Sequence, residues 1–180
     1  MNSTTCGPVP SGRSLTCTNG GAQNADVTME MQARVLWDAL VFRTPAMLRI
    51  VDQLSDEQLR WLPPNGVNSM AWLLWHIAEV EDNWIREQIL QLPKHYPFDV
   101  SAKATPRPAC PPKAALVTYF HDVRALSKQR LEASSDTQMD HTVEDEHYGT
   151  LTVRQVWAAV ATSGAWHGGQ IAYVNRLLTG

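Results

Sequence analysis

The chain has 180 residues, with 15 Lys and Arg against 18 Asp and Glu for a net charge of -3. That length suits one domain with a real core, and the absence of any basic block argues against nucleic acid as a partner. No apolar run is long enough to span a bilayer, so a membrane partner is not expected either. The three cysteines, Cys6, Cys17 and Cys110, are an odd number outside any disulfide framework and suit a reducing cytoplasm.

Residues 1–27 are rich in Ser, Thr, Gly and Asn with few apolar groups, which predicts a disordered tail. They lack the basic start and apolar core of a signal peptide, and Met29 or Met31 would serve equally as a start. From Thr28 to Gln53, Met31, Val35, Leu36, Leu40, Met47, Leu48, Ile50 and Val51 follow a helical period that Pro45 must kink or interrupt. Ser55 and Gln58 make a capping-box signature for a short helix that Pro63-Pro64 stops, and Asn65-Gly66 reads as a turn.

A second long helix is expected over about 68–91, burying Met70, Leu73, Leu74, Ile77, Val80, Trp84 and Ile85. After a proline-bearing loop (93–112), a third helix over about 113–133 should bury Leu116, Tyr119, Phe120, Val123, Leu126 and Leu131. The acidic connection 134–149 shows no convincing hairpin. In the last helix Val153, Val156, Val160, Ile171, Val174 and Leu178 form one stripe, with Thr150 or Thr152 as N-cap. His167 lies about 20° around the axis from Val160, inside that stripe. Four long helical patterns without a repeat predict an all-α four-helix bundle over residues 28–180, and the two long loops leave room for a crossover or a lid.

The stretches GVNSMAWLLWHIAEVEDNWI at Gly66–Ile85 and WHGGQIAYVNRLL at Trp166–Leu178 resemble the DinB-like (DinB/YfiT) superfamily, in particular its DinB_2 branch, and SDEQLRWLPP before them fits as well. The resemblance covers roughly residues 30–178. It implies a four-helix bundle, often a homodimer, with a divalent metal (zinc, nickel or iron) at one end. Three histidines would hold it, one from the second helix and an H-x-x-x-H pair on the last. The resemblance further implies a low-molecular-weight thiol as co-substrate, since such proteins include thiol S-transferases using bacillithiol, mycothiol or glutathione and a thiol-dependent maleylpyruvate isomerase. The same domain serves ergothioneine-forming sulfoxide synthases. His76 matches the second-helix ligand and His167 the later member of the pair. Ser163 stands where the earlier histidine belongs.

A serine hydroxyl is a poor ligand for these metals. Glu79, one turn after His76, or His147, Glu144 or Glu146 from the loop before the last helix, are the candidate replacements. Equally, that acidic run can be a solvated helix approach, and Glu79 and Asp82 can pair with Arg86 on the surface. Without metal, Ser163 and His167 share a face one turn apart, so His167 can act as general base with His76 as acid or electrostatic partner. Two packed histidines in a core are the plain alternative.

Trp72 and Trp166 beside the histidine faces either line an apolar substrate pocket or belong to the core with Trp37, Trp75, Trp84 and Trp157. Asn83 sits near His76 on the same helix, and Gln170 is expected to bond across the bundle. Gly164, Gly168 and Gly169 imply either close helix–helix contact, as at a dimer interface, or room for a ligand. His95, His121 and His141 are assigned no role. The reading is a transferase or isomerase of specialised metabolism or detoxification acting on a small, partly apolar electrophile. The alternative is a divergent bundle that only binds a small molecule or partner protein.

Overall fold

The computed structural model describes residues 29–64, 66, 68–106 and 109–180. The expected tail over 1–27, with Cys6 and Cys17, and Asn65 of the expected turn lie outside the described residues. The first helical pattern is two helices, α1 (Met31–Val41) and α2 (Thr44–Gln53), with Pro45 in the first turn of α2. Proline is tolerated there because the first N–H groups of a helix have no intrahelical acceptor. Helix α3 (Asp56–Arg60) starts in the capping box of Ser55 and Gln58.

The long helices are α4 (Met70–Trp84), which runs on into a π-turn (Ile85–Ile89), α5 (Lys113–Glu132) and α7 (Val153–Thr179). Ser69 caps α4, and Thr152, with Gln155 three residues on, caps α7. Between α5 and α7 lie one turn of helix, α6 (Asp136–Met139), and a two-stranded antiparallel hairpin, β1 (Thr142–Asp145) with β2 (Gly149–Thr152). The hairpin corrects the expectation of none. Its strands are short, none of their residues is buried, and TVED and GTLT hold one apolar aliphatic side chain each, so they lack the apolar alternation that marks a strand. Its turn is set locally: Asp145 Oδ1 accepts the N–H groups of His147 and Tyr148, and Gly149 takes φ +71°.

The core divides into two apolar clusters. One gathers Met47 and Val51, the first half of α4, Leu116–Val123 of α5, and Ile171 and Val174 of α7. The other gathers Ala33 and Leu40, Ile85, Leu131, Met139, and Val153–Ala161 of α7. Helices α4 and α5 both run from the first cluster to the second, so they are parallel, while α7 runs back. The loop 90–112 is therefore a crossover. Leu126, expected inside, is half exposed, and Val35 and Met31 are exposed too. Among the described residues no helix is long and apolar enough to cross a membrane.

Candidate active site

Helix α4 is covered on almost every side, and its second half carries His76, Glu79, Glu81, Asp82 and Asn83, all buried. Buried polar groups need partners, because desolvation is otherwise uncompensated. The chain supplies them from α5, α7 and the crossover loop, which is what builds the site.

His76 and His167 come together as the spacing suggests. Their rings meet edge to face with centroids 4.9 Å apart, one from α4 and one from α7. The Trp72 indole stacks on His76 with centroids 4.6 Å apart and planes 19° from parallel. That indole is itself held, since its Nε1–H donates to the Ala102 carbonyl at 2.7 Å. His167 is half-buried, and its Nδ1 lies 3.3 Å from Gln170 Oε1. An amide oxygen only accepts, so this contact favours the Nδ1–H tautomer and leaves Nε2 with a lone pair. Gln170 thus bonds its own helix neighbour rather than reaching across the bundle. Ser163 sits half-buried one turn before His167 on α7.

The other expected residues are placed differently. Trp72 is core and touches His76, whereas Trp166 is 69% exposed on an outer stripe with Tyr173 and Leu177. Glu79 is not at the surface with Arg86: its two carboxylate oxygens accept from Ser101 Oγ at 2.6 Å and Ala102 N at 2.7 Å. That commits Glu79 to the crossover loop rather than to the histidines. Asn83 accepts from the backbone N–H of His95 at 2.7 Å. Glu144, Glu146 and His147 gather with Glu79, Asn83, Lys94 and Lys103 around a polar cleft of about 410 Å³ between α4, the loop and the hairpin tip. The two site histidines do not line that cleft. The glycines of α7 are not forced by contact within the chain. A Cβ on Gly164 or Gly168 would meet its nearest neighbour at 3.7 Å, and one on Gly169 nothing within 4 Å.

Several buried partners escaped the sequence reading. Glu81 pairs with Arg124 at 3.0 Å and accepts from Ser127 Oγ at 2.6 Å, and Arg124 also donates to the Leu40 carbonyl. Burial pushes the Glu81 carboxyl above its ordinary range, with Arg124 and Ser127 opposing the rise. Asp82 accepts from His95 Nδ1 at 2.8 Å and from the Tyr119 hydroxyl at 3.2 Å. The carboxylates Glu79, Glu81 and Asp82 follow one another on α4 at two- and one-residue steps, which no amphipathic pattern would mark as interior. The one available signal was their number on a helix otherwise apolar all round.

Whether the side chains at these positions suit a resident zinc, nickel or iron turns on the donor set. A catalytic zinc commonly takes three protein ligands. Among the described residues no three His, Cys, Asp or Glu side chains converge. Ser163 is neutral and Glu79 is bonded elsewhere, so the two imidazoles do not make up that set.

The family model described as the DinB superfamily matches residues 39–171. No curated protein matches the chain. Among solved structures, the conserved protein of a locus from Enterococcus faecalis is similar over 81% of this chain and 96% of its own, with a TM-score of 0.62 and 20% identity. At that identity the likeness supports the fold alone.

Proposed function

The chain belongs to the DinB superfamily, and from that premise we propose that it is a small-molecule enzyme whose working groups are His76 and His167, without a resident metal. The observation that carries this reading is the edge-to-face meeting of two imidazoles from different helices, 4.9 Å apart, one held by the Trp72 stack and the other by Gln170. Two proton-handling groups at one place suit general acid–base chemistry.

The reaction class is transfer or use of a low-molecular-weight thiol on a small, partly apolar electrophile. The thiol proton passes to His167 Nε2, and the thiolate sulfur bonds to the electrophilic carbon as the bond to the leaving group breaks with its electron pair, or as a π pair moves onto the adjoining atom. The proton returns from the imidazolium of the pair to the leaving group or developing anion, with His76 as acid or electrostatic partner. The cytoplasm as the setting, and a homodimer, belong to the same reading; light scattering tests the second.

The experiment is a thiol-consumption assay with glutathione, bacillithiol and mycothiol against 1-chloro-2,4-dinitrobenzene. The expected result is turnover with one of the thiols that His167→Ala lowers by about 100-fold or more, with unchanged helical circular dichroism. Equal turnover in the variant would contradict the reading. A His167→Ala chain that is inactive because it no longer folds would mark His167 as a core residue, and Gln at the same position then separates packing from chemistry. The second reading, a non-catalytic bundle that binds a small molecule or protein, is favoured by Ser163 alone; absence of turnover with every thiol would support it.

A further inference from the structure

A second imidazole site lies away from the histidine pair, on the other side of α4. His95, in the crossover loop, is fixed at two points by consecutive residues of α4. Asn83 Oδ1 accepts its backbone N–H at 2.7 Å, and Asp82 Oδ2 accepts from its Nδ1 at 2.8 Å. The Asp82 side chain is only 7% exposed, while that of His95 is 48% exposed. A carboxylate can only accept, so in the neutral ring Nδ1 carries the hydrogen and Nε2 keeps a lone pair. Among the described residues nothing hydrogen-bonds to Nε2.

Tyr119 donates its hydroxyl to the same Asp82 oxygen, and burial with that carboxylate raises its phenol pKa, so it stays a neutral donor. The His95 ring borders an open cleft of about 530 Å³ between α5 and the loop, walled by Phe98, Ala115, Tyr119 and Leu126, with Arg86 and Asp122 as the other charged groups on it. That volume falls within the range of small-molecule sites, which are mostly apolar with a few placed polar groups. The half-exposure of Leu126 is explained by its place on this wall.

We propose that this cleft is a second small-molecule site for a largely aromatic ligand carrying one weakly acidic O–H or S–H, with His95 Nε2 accepting that proton and Asp82 as the positioning residue. A carboxylate behind an imidazole fixes its tautomer and stabilises the imidazolium that forms when Nε2 takes a proton. The ligand's aromatic body packs on Phe98 and Tyr119, whose own rings already meet edge to face at 5.8 Å. Neither His76 nor His167 lines this cleft, so loss of one site leaves the other intact.

The test titrates the full chain with 4-nitrophenol below the dye's own pKa and follows its absorption. The expected result is saturable binding with the phenolate fraction of bound dye raised about threefold or more over free dye. Ala115→Trp, which fills the cleft, weakens binding about tenfold. His95→Gln still binds the dye but loses the phenolate shift. Asp82→Asn weakens it, because a neutral amide no longer stabilises the imidazolium that forms when Nε2 takes the proton. If Asp82→Asn does not fold, the other two variants decide. Absence of saturable binding, binding indifferent to Ala115→Trp, or a phenolate shift that survives in His95→Gln would overturn the proposal.

Discussion

His76 serves as a proton-handling group only while its ring is held, and what holds it is Trp72. The indole stacks on the imidazole and ties itself to the crossover loop through the Ala102 carbonyl. Trp72→Phe keeps an aromatic face and removes that N–H donor. We expect a stability loss of about 1 kcal/mol by urea unfolding, because one hydrogen bond is lost while the Ala102 carbonyl keeps the Thr105 N–H, together with a lower kcat as the stack loosens. An unchanged kcat would show that the stack does not position His76. At this scale the sequence was informative about His76 and His167, since each lies in a motif. It was silent on His95. Nothing in a loop histidine thirteen residues beyond Asp82 announces that a crossover brings the two within 2.8 Å. Glu79 was visible as a polar residue beside His76, but its partners, Ser101 Oγ and the Ala102 N–H, sit in the loop.

Among the elements, α7 carries both the cap that starts it and a glycine it does not need for contact. Thr152 accepts from Gln155 N, with the reciprocal bond also present, so Thr152→Ala should lower stability by about 1 kcal/mol. Gly169 lies inside the helix, and a methyl group at its Cα would have nothing within 4 Å, so Gly169→Ala should raise stability by about 0.5–1 kcal/mol. Calorimetry checks both, and a destabilised Gly169→Ala protein would show that this face is covered by another chain. The long helices were legible because their apolar residues recur at helical steps, and the Ser55–Gln58 cap because its offset is that of a capping box, whereas the cap of α7 was narrowed only to Thr150 or Thr152. The hairpin was not legible, because its shape is written in hydrogen bonds of Asp145 and in Gly149 rather than in apolar alternation.

Across the whole molecule, a polar layer lies between the two apolar clusters: Glu81 of α4 meets Arg124 and Ser127 of α5, and Arg124 lies beside Gly164 of α7. Arg124 links three helices, pairing with Glu81 and donating to the Leu40 carbonyl at the end of α1. Arg124→Met leaves a buried carboxylate without its cation and should cost about 3–5 kcal/mol near neutral pH. Glu81 has a folded pKa raised above 4.5, so the stability it contributes is complete below 4.5 and is lost as pH rises through the folded value. Losing Arg124 raises that value further. The variant's deficit should therefore shrink as pH falls from neutral toward 4.5, and urea unfolding at the two ends of that window checks it. A deficit that grows on acidification would contradict this account of the layer. The claim on which the functional reading rests is that His76 and His167 work as a pair without a resident metal. The direct measurement is elemental mass spectrometry of untagged protein after incubation with zinc, nickel or ferrous iron and removal of excess. The account predicts far less than one metal per chain, and a near-stoichiometric gain in Ser163→His. Near-stoichiometric metal in the unaltered chain, lost in His76→Ala, would contradict it.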